Sequence, residues 1–172
     1  MRGTRAARVR TAGILLGIGL GGFLDGIVLH QIAQWHNMLS AVLPPHDMAA
    51  MKQGMAADGW FHIATWLVTL GGVAALWSAL RGPGPLPSTR AFIGNMLVGW
   101  GGFNLVEGIV NHHLLELHHV RDLPQHVPFY DWAFLLAGGV ALLLVGLALR
   151  ARRPAPPLER RSGTERRSGS MV

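Results

Sequence analysis

The chain has 172 residues, 50% of them hydrophobic and 14% charged, with 23 glycines and a mean hydropathy of +0.32, which is one domain's length and too apolar for a water-soluble enzyme of this size. It holds no cysteine, so disulfides, Cys-based zinc sites, thiolate-held iron–sulfur clusters and thiol nucleophiles are excluded, and any chemistry falls to histidine and carboxylate. The net charge of +6 comes from 15 basic and 9 acidic residues, but the basic ones gather at the chain ends and in one linker rather than on a helix face, which argues against a nucleic-acid partner.

A basic arm over residues 1–11 precedes the first apolar run, at 12–39, and further runs follow at 59–80, 91–119 and 130–149. Each is near or above the roughly 20 residues that cross a hydrocarbon core of about 30 Å. The sequence therefore predicts an all-α, four-helix transmembrane bundle over 12–150, with the lipid bilayer as its partner. Between the runs stand Leu43-Pro44-Pro45-His46-Asp47, the Pro/Gly linker from Arg81 to Pro87, and Arg121-Asp122-Leu123-Pro124-Gln125-His126, all of which contain residues that end helices. The tail over 151–172, with Pro154, Pro156, Pro157, paired arginines and Ser/Gly, is too polar to fold and is expected to be disordered.

Thirteen of the fifteen Lys and Arg residues lie in the N-terminal arm, in the second linker or just after it at Arg90, and in the tail or just before it at Arg150, against only Lys52 and Arg121 elsewhere. That asymmetry predicts both termini in the cytoplasm and the first and third linkers outside. No small-residue cleavage site ends the first run, which continues through Asp25 to Trp35 and reads as an uncleaved anchor. In the first linker, His46, Met48, Met51 and Met55 form a set that could capture copper, but they read better as a short amphipathic helix on the membrane surface.

The first and third runs repeat one another. From Asp25 to His36 the register is gapless at an offset of 82: Asp25/Glu107, Gly26/Gly108, Ile27/Ile109, Val28/Val110, His30/His112 and His36/His118. Runs two and four share a weaker Gly-Gly-Val-Ala pattern at Gly71 and Gly138. A duplicated helix pair is expected, two parallel-repeat hairpins related by a pseudo-two-fold axis along the membrane normal.

At about 100° per residue, the polar residues of the first and third runs fall on one half-circle, with His113 the exception, and Ile27, Val28, Ile109 and Val110 fall outside it. Asp58, His62, Thr65 and Thr69 make a third stripe, so the polar faces are expected to line the interior of the bundle. A carboxylate in mid-membrane costs about 2.5–3.5 kcal/mol even on lenient scales and needs a partner. No Lys or Arg lies between Arg10 and Lys52 or between Arg90 and Arg121, so Asp25 and Glu107 must look to imidazolium, a cation or a proton. Gly22, Gly26, Gly102 and Gly108 would let helices approach around them.

Three chemistries suit these residues besides plain hydrogen bonding between helices. The first is a transition-metal centre of His30, His112 and His62, with His36 and His118 as an outer layer and Asp25, Glu107 or Asp58 completing it. His and carboxylate without thiolate suit Zn, Fe, Mn or Cu(II). On a continuous α-helix Asp25 and His36 stand about 16 Å apart and could not share one ion. The second is a b-type haem held by His30 and His112, or by His36 and His118. The third is proton or ion movement. His112, Glu116 and His119 have ligand-like spacing, but not the H-E-x-x-H order of zinc hydrolases, so no catalytic residue is assigned.

With Phe23-Leu24-Asp25-Gly26-Ile27-Val28-Leu29-His30-Gln31, Trp35-His36, Glu107-Gly108 and His112, the sequence resembles a family of bacterial four-helix membrane proteins catalogued as a domain of unknown function, over about residues 12–150. The resemblance implies a multi-pass protein of the bacterial inner membrane. Through relatives that sit near cytochrome oxidase assembly proteins, it also implies metal handling or oxidase assembly with a membrane or periplasmic metalloprotein partner.

Overall fold

The structure is a computed structural model and describes residues 4–151. The expected disordered tail lies outside the described residues, apart from Ala151. The described residues form four helices: α1 (Arg5–Ile32), α2 (Met48–Leu80), α3 (89–114) and α4 (Pro128–Ala151). Each starts on a residue suited to cap free backbone N–H groups or to dispense with one. The Thr4 hydroxyl accepts from Ala7 N at 3.2 Å, the Asp47 carboxylate from Ala49 and Ala50 N at 2.8 Å, and the Ser88 hydroxyl from Ala91 N at 3.2 Å, while α4 opens on Pro128.

The helices do not coincide with the apolar runs. The N-terminal arm is helical from Arg5, because its small and basic residues support a helix as well as the apolar ones do. Helices α1 and α3 stop at Ile32 and Leu114, short of the expected 39 and 119. Helix α2 begins at Met48, so Met48, Met51 and Met55 belong to its first turns and no separate surface helix forms.

Helices α1, α2 and α4 are long and apolar enough to cross a membrane; α3, which carries Asn95, Asn104, Glu107, Asn111, His112 and His113, is not. The burial pattern points to lipid as well. Among the described residues seven hydrophobic ones are buried, against twelve polar or charged ones, while Trp60, Trp66, Trp77, Leu136 and Leu144 are more than half exposed. A water-soluble fold distributes these groups the other way round.

Helices α1 and α3 pack on each other at the centre, α2 packs on α1 and α4 on α3. No substantial contact joins α2 to α4 among the described residues, so the arrangement is a row rather than a closed square. Glycine permits the central approach. A Cβ on Gly17 would lie 1.9 Å from the Met96 carbonyl oxygen, and one on Gly99 would lie 2.1 Å from that of Ile14. Of the glycines expected to matter, Gly22 and Gly26 face α2 and Gly108 faces α4, whereas Gly102 meets nothing.

Candidate metal centre

The last turns of α1 and α3 change winding. Gly26–Ile32 and Gly108–Leu114 are π-helical, with each backbone bond reaching one residue further than in an α-helix. In a regular α-helix, residues five apart diverge by about 140°. The wider turn brings them onto one face, and five is the separation of Asp25 from His30 and of Glu107 from His112. His30 Nε2 lies 3.2 Å from Asp25 Oδ2, and His112 Nε2 lies 3.1 Å from Glu107 Oε1.

Beyond the π turns the chain folds back on itself. Gln34 and Glu116 take left-handed backbone conformations, φ 51° and 47°, which cost a non-glycine residue about 1–2 kcal/mol. Trp35 N then donates to Leu29 O at 3.0 Å and Leu117 N to Asn111 O at 2.9 Å, closing a tight return in each case. This return carries His36 and His118 back beside the helix ends. The expected 16 Å between Asp25 and His36 is therefore wrong, because it assumes a helix that continues to position 36.

Two buried groups result, Asp25/His30/His36 and Glu107/His112/His118, each with ligand atoms within 4.8 Å of one another. They occupy the same positions in the two copies of the repeat. Both are buried, from 8% exposure at Asp25 to 0% at His118. His36 and His118 stack with ring centroids 4.8 Å apart, so the two groups adjoin.

Of the remaining ring nitrogens, those of His30 and His36 are hydrogen-bonded from behind. Asp58 of α2 meets His30 Nδ1 at 2.9 Å, and Asp131 of α4 meets His112 Nδ1 at 3.4 Å. Each aspartate is itself fixed by a loop amide, Met38 N on Asp58 and Val120 N on Asp131, both at 2.8 Å. His36 Nδ1 donates to the Val120 carbonyl at 2.8 Å, and its Nε2 is buried without a hydrogen-bond partner. Glu107 Oε2 and His118 Nδ1 are likewise buried and unpartnered. An imidazole that binds a metal through one nitrogen normally gives its other N–H to a carboxylate or backbone carbonyl; His30 and His36 have that support, whereas His112 Nδ1 lies 3.4 Å from Asp131 without a hydrogen bond. Burial, with His118 and His30 nearby, holds the His36 pKa well below the usual histidine range, so its ring is neutral and has a lone pair to offer.

The backbone around the groups follows the same offset. Leu123 N donates to Trp35 O at 2.8 Å, and Ala41 N donates to Leu117 O at 3.1 Å, so each loop grips the other. The Ser40 hydroxyl donates to Asp122 Oδ2 at 2.5 Å across the same junction. Arg121 lies over the rings of Trp35 and Tyr130 at the rim.

Not every expected residue arrives. His62 does not converge with His30 and His112. It lies half-buried on α2 against Gly26 and Phe23, one helical turn beyond Asp58, and Asp58 is what α2 brings to the cluster. Asp58 stands on the far nitrogen of His30 rather than among the converging atoms. His36 and His118 do stack on each other, but the converging ligand atoms group by repeat, His30 and His36 with Asp25 and His112 and His118 with Glu107. His113 leaves the polar face and packs on Trp132 at 5.1 Å. A third group, His119/His126/Asp131, also meets within 4.8 Å. In the sequence Asp131 stands at the start of the fourth apolar run and His126 in the third linker, and neither position by itself marks a ligand.

A helical membrane protein with paired His/carboxylate groups buried at one end of its helices is the class these observations define. The chain belongs to the DUF2243 family of predicted membrane proteins, whose model matches residues 12–153. No curated protein and no solved structure matches the chain.

Proposed function

We propose that this is a four-span membrane protein of two helix pairs, α1–α2 and α3–α4, related by a pseudo-two-fold axis along the membrane normal, and that each pair binds one transition-metal ion. The first ion is held by Asp25, His30 and His36, the second by Glu107, His112 and His118. One observation carries this reading. Two buried sets of two imidazoles and one carboxylate recur at an offset of 82, with supporting groups behind the ring nitrogens.

Two histidines and one carboxylate form a three-ligand set found at catalytic zinc and non-haem iron sites, and it leaves at least one coordination position open. Such a site suits exchange or reaction better than a closed structural site does. Zn, Fe, Mn and Cu(II) all fit donors without thiolate. A haem held by His36 and His118 is disfavoured because their rings lie nearly parallel, 14° apart, and stack on each other, so they cannot both aim a nitrogen at an iron between them. The α3 helix spans in this reading because Asn95, Asn104, Glu107 and His112 are buried within the protein rather than facing lipid. Arg5, Arg8, Arg10, Arg81, Arg90 and Arg150 lie towards the helix ends opposite the clusters, which supports cytoplasmic termini and an outward-facing centre in a bacterial inner membrane.

Elemental analysis and a visible absorption spectrum of the detergent-purified protein test this. Two or more transition-metal ions per chain without a Soret band is the expected result. A Soret band, or protein that stays metal-free after incubation with Zn, Fe, Mn and Cu, overturns it.

A further inference from the structure

The two halves differ at one place around their triads. Asp58 meets one imidazole, His30, whereas Asp131 meets three. Its Oδ1 lies 2.8 Å from Val120 N and 3.4 Å from His112 Nδ1. Its Oδ2 lies 2.9 Å from His126 Nε2 and 3.4 Å from His119 Nδ1. The positions 82 residues before His119 and His126 are Asn37 and Pro44, so the first half has no equivalent pair of imidazoles.

Accessibility falls steadily along this path. The side chains of His126, His119, Asp131 and His112 are 41%, 16%, 3% and 1% exposed. His119 and His126 stack at 3.9 Å, and His119 lies 6.5 Å from the ring of His112. His119 Nδ1 is buried without a hydrogen-bond partner.

We propose that His119, His126 and Asp131 form a third metal site, open to solvent, from which an ion passes inward to Glu107, His112 and His118. This rests on the metal-binding reading of the inner triads. The outer set again offers two imidazoles and a carboxylate, a donor set for a divalent transition metal. Its exposed ligand, His126, gives water and chelators access, so the outer ion exchanges faster than the buried ones. Asp131 links the two sites. While its Oδ2 faces the outer ion, its Oδ1 faces the far side of the inner ligand His112, so one carboxylate borders both ends of a short transfer.

Cobalt(II) binding to the metal-free full-length protein in detergent tests the proposal, with stoichiometry read after equilibrium dialysis and loading followed by visible absorption. The wild type is expected to bind three ions, one of them stripped rapidly by EDTA. His126→Ala and, independently, His119→Asn, which installs the residue found at position 37, are each expected to bind two, to lack the rapidly stripped ion and to load the remaining two more slowly. Unchanged stoichiometry and loading in both variants overturns the third site while leaving the inner pair standing. A wild-type protein that binds no cobalt overturns the inner pair, and the third site with it.

Discussion

His30 sits between Asp25, at 3.2 Å, and Asp58, at 2.9 Å; its counterpart His112 sits between Glu107, at 3.1 Å, and Asp131, at 3.4 Å. The helix winding, the left-handed return and the loop amide behind each aspartate are the same in both halves. The difference lies in how much else the supporting aspartate holds. Asp58 gives Oδ1 to both His30 and Met38, whereas Asp131 divides its oxygens between His112 on one side and His119 and His126 on the other. Local backbone geometry thus repeats faithfully, while the surroundings set how tightly each imidazole is held.

Removing the central imidazoles gives the largest test of this equivalence. His30→Ala and His112→Ala are each expected to lose one inner ion and keep the other, measured as metal per chain after purification, because the triads are separate. Loss of both ions in either variant would show instead one shared site. A site deprived of one of three ligands loses well over the 10- to 100-fold in affinity typical of a lost supporting partner.

That supporting partner is the next test. Asp58→Asn and Asp131→Asn retain the shape of the side chain and remove its charge. Each is expected to weaken the inner ion of its own half by about 10- to 100-fold, and Asp131→Asn also to weaken the outer ion that Asp131 helps to hold. Asp58→Asn should weaken its ion more, since the contact it removes is shorter. Equal effects in competition with a chelator of known affinity would mean that the 3.4 Å contact supports His112 as firmly as the 2.9 Å contact supports His30.

The smallest effect concerns the backbone. Gln34→Gly and Glu116→Gly remove the steric cost of the left-handed conformation, about 1–2 kcal/mol, but free the unfolded chain, so a net stabilisation of no more than about 1 kcal/mol is expected in each. Thermal unfolding in detergent would show a small rise in Tm, equal in the two variants. A fall in either would mean that its polar side chain contributes a contact worth more than the strain.

Much of this architecture was legible in the residues. The apolar runs of four helices, the repeat at an offset of 82 and the want of any basic partner for Asp25 and Glu107 follow from order and composition. Ile27 and Ile109 are about half exposed, on the side that periodicity assigned to lipid. The grouping of the histidines was not legible. Periodicity treats each run as a uniform α-helix, and that assumption fails just where Gly26 and Gly108 begin the π turns and where Gln34 and Glu116 reverse the chain. The only hint was the five-residue spacing within each copy, which an α-helix would splay.

The sequence by itself determined which groups are buried in apolar surroundings and that they come in two matched sets, because burial of charge and internal duplication are properties of composition and order. Only the tertiary structure decided which of them meet. That depends on two loops gripping each other across the junction of α1 and α3, and on which turn of α2 and α4 faces the neighbouring helix end. One helical turn separates Asp58, which supports His30, from His62, which does not, and such a choice is fixed by packing depth rather than by residue type.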